Sequence, residues 1–194
     1  MNKKGFSLLE VVIGIAILGL IGSFLGGILT RVYKGNSKTT LVGNIKQNGQ
    51  TALNTLDTAI RNAETVVCPL NSSLSDVIVL QDKGGNYIRF KYYPQPANNL
   101  YNGFIEQDML TLSDPNQALT LCSAPNQAPF SITDQNTKSG VSVLSGSFQV
   151  NKIRGLKDVV SISFQIGSPV AGGSGFENTI EGNSIGFQTS VQIR

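Results

Sequence analysis

Residues 5–30 of the chain read GFSLLEVVIGIAILGLIGSFLGGILT, and the reading of this stretch decides the fold. Lys3 and Lys4 precede it, Glu10 is its one charge, and nothing from residue 11 to residue 30 is ionisable. About 20 apolar residues in a helix cross the roughly 30 Å hydrocarbon core of a bilayer. The stretch is therefore predicted to be a membrane-spanning helix, with the rest of the chain as its cargo. An ordinary secretory signal has a shorter apolar core followed by a small-residue cleavage site. Here Thr30-Arg31-Val32-Tyr33-Lys34 offers no such site. Charge does not orient the helix, because Lys3 and Lys4 before it nearly balance Arg31, Lys34 and Lys38 after it.

Glu10 is the residue that needs a reason. A carboxylate inside a spanning helix is costly unless it sits at the interface or finds a partner. A chain beginning at Phe6 would place a free α-amine one helical turn away, and the amines of neighbouring copies would also be in reach. In an apolar bundle such a pair aligns subunits, since a wrong register leaves both charges unpaired. The same segment contains Gly22-x-x-x-Gly26 and Ser23-x-x-x-Gly27. Small residues at this spacing let helices approach closely, although glycine is frequent in membrane spans in any case. Gly26-Gly27 is also where the helix is most easily softened.

The run Lys3-Lys4-Gly5-Phe6-Ser7-Leu8-Leu9-Glu10, followed by Val11-Val12-Ile13, resembles the class III signal of bacterial type IV pilins and of the pseudopilins of type II secretion and DNA-uptake systems. The resemblance covers about the first thirty residues. It implies cleavage after Gly5 by a membrane prepilin peptidase, N-methylation of the new first residue Phe6, and a role for Glu10 in subunit addition. It also implies other pilin subunits and an inner-membrane assembly platform as partners. The chain would be a single-pass protein of the inner membrane, its C-terminal part outside the cytoplasm, and then part of a pilus or pseudopilus. The final Phe187-Gln188-Thr189-Ser190-Val191-Gln192-Ile193-Arg194 looks like the closing strand of some minor pilins and pseudopilins.

Outward placement bears on the cysteines. Cys68 and Cys122 are the only two, there is no C-x-x-C spacing, and histidine is absent, so a zinc site is not expected. Outside the cytoplasm one disulfide is the default; two separately buried thiols are the alternative. A bridge closing a loop of this length is worth about 4 kcal/mol on chain-entropy grounds.

The chain has 194 residues, enough for a membrane-anchored stalk and one domain with its own core. Its net charge is +3, but without Lys3 and Lys4 the balance is 13 basic against 12 acidic side chains. No basic cluster remains to hold a phosphate backbone. Charged residues make up only 14%, which fits an extracytoplasmic surface of neutral polar groups better than a cytoplasmic enzyme.

Beyond the span, Val42, Ile45, Gly49, Ala52, Leu53, Leu56, Ile60, Ala63 and Val67 recur at three- and four-residue steps, a helical stripe. One helix from residue 6 to about residue 67, ended by Cys68-Pro69, would be roughly 90 Å long. The domain plan is a leader over residues 1–5, a membrane or filament-core helix over 6–30, an amphipathic helix over 31–67 and a β-rich globular domain over 68–194. After Pro69 the period becomes two. Strands are expected over 76–80 and 87–93, joined by a turn at 82–86. Short strand pieces are expected within 100–111, and further strands over 118–123, 130–133, 141–144, 148–150 (after a Ser-Gly turn), 159–166 and 185–193. Residues 94–99, 125–129 and 168–182 read as loops. The fold class is α+β: a long N-terminal helix whose amphipathic half packs on an antiparallel sheet with one wet side.

No catalytic constellation appears. Without histidine, acid–base work would fall to carboxylates, Lys, Tyr or Cys. Asp76, Asp82, Glu106, Asp108 and Asp114 read as lying in or beside turns without converging. Asp114-Pro115-Asn116 and Asp134-Gln135-Asn136 could offer oxygen ligands, but neither fills the calcium-loop pattern, and turn chemistry accounts for both. Tyr87, Tyr92, Tyr93 and Tyr101 with Arg89 and Lys91 form the one aromatic-basic interleave, the pattern by which single-stranded nucleic acid is gripped; ordinary sheet packing is the favoured explanation. The expectation is a non-enzymatic filament subunit, without cofactor or metal, assembled through its apolar helix. The loop-rich domain and closing strand favour a minor subunit. The alternative is a single-pass anchored extracytoplasmic binding module, with DNA as a candidate ligand, that does not polymerise.

Overall fold

The structure, a computed structural model, describes residues 8–70, 72–112, 115–152, 155–170 and 184–193. The chain forms two compact units, Met1–Val42 and Gly43–Arg194. Helix α1 spans Leu8–Asn62.

In the first unit the described residues are helical, and their large apolar side chains are exposed from Leu8 to Tyr33. The hydroxyls are satisfied within the helix: Ser23 donates to the Leu20 carbonyl at 2.8 Å, Thr30 to Gly26 at 2.7 Å and Thr39 to Gly35 at 3.0 Å. This bonding lets hydroxyls sit on an apolar helix without an unmet donor.

In the second unit α1 contributes a buried stripe of Ile45, Gly49, Ala52, Leu56 and Ile60 that packs against the antiparallel sheet. The helix ends at Asn62 rather than near residue 67. Ala63–Cys68 is strand β1, paired antiparallel with β2, Val77–Asp82. The run Thr65-Val66-Val67 is β-branched and suits a pleated surface better than a helix. Apolar residues at 63, 66 and 67 fit either period, and pairing with β2 decides between them. Asp57 and Arg61 form a two-pronged i,i+4 pair in the last turn, at 2.7 and 3.0 Å, with the basic residue nearest the C-terminal end.

Strands β3 (Tyr87–Tyr93), β4 (Phe104–Leu110) and β5 (Pro129–Ser131) complete a five-stranded antiparallel meander ordered β1-β2-β3-β4-β5. The β2–β3 turn is closed by Asp82, whose carboxylate accepts the Asn86 backbone N–H at 2.8 Å and its side-chain amide at 3.0 Å. Gly85 sits at φ 83°, a conformation that favours glycine. Strands β6 (Ser142–Asn151), β7 (Val159–Gly167) and β8 (Ile185–Gln192) form a second antiparallel sheet.

β6 is one strand where two pieces and a Ser-Gly turn were expected. It carries a register shift between Val143 and Ser145 instead of a turn, and Gly146 faces the Tyr92 ring where a Cβ would collide. The glycine serves close approach, not chain reversal. The strand expected over 118–123 does not form: Pro115–Cys122 is a 3-10 helix. Most of the loop expected over 168–182 lies outside the described residues.

The two sheets and the helix meet in an aromatic file. Tyr92 stacks on Phe148 at 4.6 Å and lies 6.0 Å from Phe164, which stacks on Phe187 at 5.2 Å. Phe187 fills the space over Gly49 on α1, where a Cβ would meet its ring. Burial pushes the Tyr92 hydroxyl well above the ordinary tyrosine range.

Candidate functional site: the apolar helix and the tethered cap

Glu10 lies in the first described turn of α1, where a carboxylate complements the helix dipole. The cleavage and methylation residues Gly5 and Phe6 lie outside the described residues. At Gly22, Gly26 and Gly27, as at Gly14 and Gly19, an added Cβ would meet nothing within 4 Å. Among the described residues nothing requires these glycines, in contrast to Gly49. An 18-residue window of α1 reaches a mean hydropathy of 2.5 with none of it buried, and α1 is the one helix, among the described residues, long and apolar enough to cross a membrane.

The aromatic-basic interleave on β3 does not form an open platform. Tyr92 is in the core, and Tyr87 is buried with its hydroxyl bonded by Gln81 at 3.2 Å. Tyr93 stacks on Phe104 at 4.7 Å while Lys91 lies over its ring at 4.6 Å. Tyr101 is exposed but sits beyond the strand. Arg89, a cation of that interleave, is only 3% exposed.

Arg89 belongs to a buried network that sequence reasoning missed. Glu106 and Asp108, expected beside turns, both lie in β4, and the β3–β4 register sets Arg89 directly opposite Asp108. Arg89 Nη2 donates to Asp108 Oδ2 at 2.7 Å and to Asn126 Oδ1 at 2.6 Å. Its Nη1 donates to the carbonyls of Leu121 and Ala124. Asp108, 1% exposed, also accepts the backbone N–H groups of Gln127 and Ala128, the latter at 2.6 Å. Glu106 accepts from Asn126 at 2.8 Å and from the Tyr93 hydroxyl at 3.3 Å. The signal was partial: Arg89 stands in an alternating strand, but Asp108 stands in a stretch that reads only as short strand pieces. It needed the hairpin register to be read.

The network holds the segment from the 3-10 helix to residue 128 over the outer face of the first sheet. Cys68 and Cys122 are joined in a disulfide there. Around it Val67, Val79, Tyr87, Leu110 and Leu121 form a small second core. Part of the outer face is thus covered by a cap fastened covalently at Cys122 and, toward residue 128, by hydrogen bonds to the buried Arg89–Asp108 pair.

Of the oxygen-rich turns, Asp114 lies outside the described residues. Asp134 and Asn136 turn their side-chain oxygens to the backbone N–H groups of Asn136, Lys138 and Ser139 at 2.9–3.1 Å. Among the described residues no group of three or more His, Cys, Asp or Glu could hold a metal ion.

The Prokaryotic N-terminal methylation motif family matches residues 1–26. No curated protein and no solved structure matches the chain. The chain carries a prepilin-type methylation motif consistent with the class III prepilin and pseudopilin group at large. Its long helix on antiparallel sheet matches the general type IV pilin-like fold. It is a pilin-like structural protein, and the motif designates no particular subunit.

Proposed function

We propose that the chain is a minor pilin or pseudopilin, cut after Gly5, methylated on the new Phe6 amine, and built into a helical filament through residues 6–30. A membrane peptidase makes the cut at the cytoplasmic face, with the globular domain outside. An inner-membrane platform and its ATPase then lift the helix into the growing bundle. The observation that carries this reading is the first part of α1: a helix whose large apolar side chains are exposed and whose glycines face open space among the described residues. Such a surface is stable only in lipid or against other helices. Glu10 supplies the one fixed charge near its start, and the methylated amine of Phe6 in an adjacent copy supplies its counter-charge. Gly22, Ser23, Gly26 and Gly27 offer the flattest strip for helix contact.

The test is a pair of substitutions in the native host. A bulky residue at Gly5 leaves a precursor that retains residues 1–5 and stays out of surface filaments. Glu10→Gln spares processing but lowers incorporation into filaments by more than about tenfold, the loss of one buried charge pair. Normal length and location of the Gly5 variant would mean that the helix is a permanent tether and the domain a binding module.

A further inference from the structure

We infer that the edge of β8 that is unpaired among the described residues pairs with β8 of a second copy, antiparallel about Thr189, joining two three-stranded sheets into one of six. The sheet edges of this molecule differ in how they are guarded. β1 has two register shifts, an exposed Glu64, and Lys152 donating to its Val66 carbonyl at 3.4 Å. β5 is three residues long and begins with Pro129. β6 is sealed onto the first sheet and its loops: Phe148 and Ser75 exchange backbone bonds at 2.7 and 2.9 Å, and Val143 bonds Gly103 and Gln95 at 2.9 and 2.8 Å. These are the usual devices against edge-to-edge association.

β8 has none of them. Residues 184–193 read SIGFQTSVQI, with no charge and no proline, and the β7–β8 register runs without a shift from Val159↔Gln192 to Ile166↔Ile185. Among the described residues nothing pairs with its other side. An uncharged strand meets an identical strand without like-charge repulsion, which is why the occupant is a second copy. Register is fixed by the faces. Ile185, Phe187, Thr189 and Val191 point inward, half-buried or buried, while Gly186, Gln188, Ser190 and Gln192 are exposed. A two-fold axis at Thr189 sets Phe187 opposite Val191 and Ile185 opposite Ile193. A slip of one residue would set each apolar side chain against an exposed one. Such a contact is self-complementary and closes at two copies. It is therefore separate from whatever elongates a filament, and its failure leaves that reading untouched.

The experiment uses the full chain in detergent micelles under mild oxidation. In an antiparallel pair the facing Cα atoms are about 4.5–5.5 Å apart, within disulfide reach. Thr189→Cys should give a covalent dimer at least about tenfold faster than Ser190→Cys, whose opposite residue is Gln188. Adding Gln188→Lys and Ser190→Lys, both on the exposed face, should abolish the Thr189→Cys dimer while the Cys68–Cys122 bridge and the circular dichroism stay unchanged. Equal cross-linking at 189 and 190, no cross-linking, or indifference to the lysines would overturn the pairing.

Discussion

Two stretches of one helix live under opposite rules. From Leu8 to Tyr33 the large apolar side chains of α1 are exposed, and its glycines face open space. From residue 43 to Asn62 the same helix buries Ile45, Ala52, Leu56 and Ile60 against its own domain, and Gly49 is held to zero side chain by Phe187. Backbone conformation is shared; what differs is where the partner atoms come from. In the second stretch the chain supplies them; in the first, on the function proposed above, lipid or other chains would. A glycine is a packing constraint in one and faces open space in the other.

That contrast can be attacked from the domain side. Asp108→Ala leaves the Arg89 guanidinium buried without its counter-charge and frees the Gln127 and Ala128 N–H groups. It should lower the unfolding free energy by about 3–5 kcal/mol, measured by denaturation of the micelle-bound chain, while membrane insertion of the first stretch is unchanged. Loss of insertion along with stability would mean that the two stretches are not independent.

The sharpest comparison is between glycines. Gly49→Leu should cost about 1–3 kcal/mol by overpacking against Phe187. Gly26→Leu should leave domain stability within about 0.5 kcal/mol yet reduce filament incorporation. Equal effects of the two on domain stability would erase the distinction.

The smallest effect concerns Tyr92, whose hydroxyl is buried without a hydrogen-bond partner among the described residues. Its proton is held more tightly in the folded chain than the ordinary value of 10.0. Stability from this group is therefore complete below pH 10 and falls as pH rises from there toward the higher folded value. Tyr92→Phe should flatten that alkaline loss and be neutral or stabilising by about 1 kcal/mol at pH 7, read from denaturation curves at pH 7 and 11.

The apolar span, the helical stripe and most strands were legible because each has a simple period. The span needs only composition, and β3 and β7 alternate with little interruption. The illegible parts depended on register. Val66 and Val67 satisfy a helix or a strand until β2 is beside them, and Ser145-Gly146 reads as a turn until the Tyr92 ring is above it. Arg89 and Asp108 lie 19 residues apart and became a pair only through the β3–β4 alignment. Gly5, Phe6 and Glu10 fall within the methylation motif matched over residues 1–26, which is carried by residue order and not by fold.

The most direct measurement is the intact mass of this chain recovered from sheared surface filaments of native cells. The account predicts a species lacking residues 1–5, carrying one added methyl on Phe6 and linked internally between Cys68 and Cys122. A full-length chain beginning at Met1, found only in the membrane fraction, would contradict it.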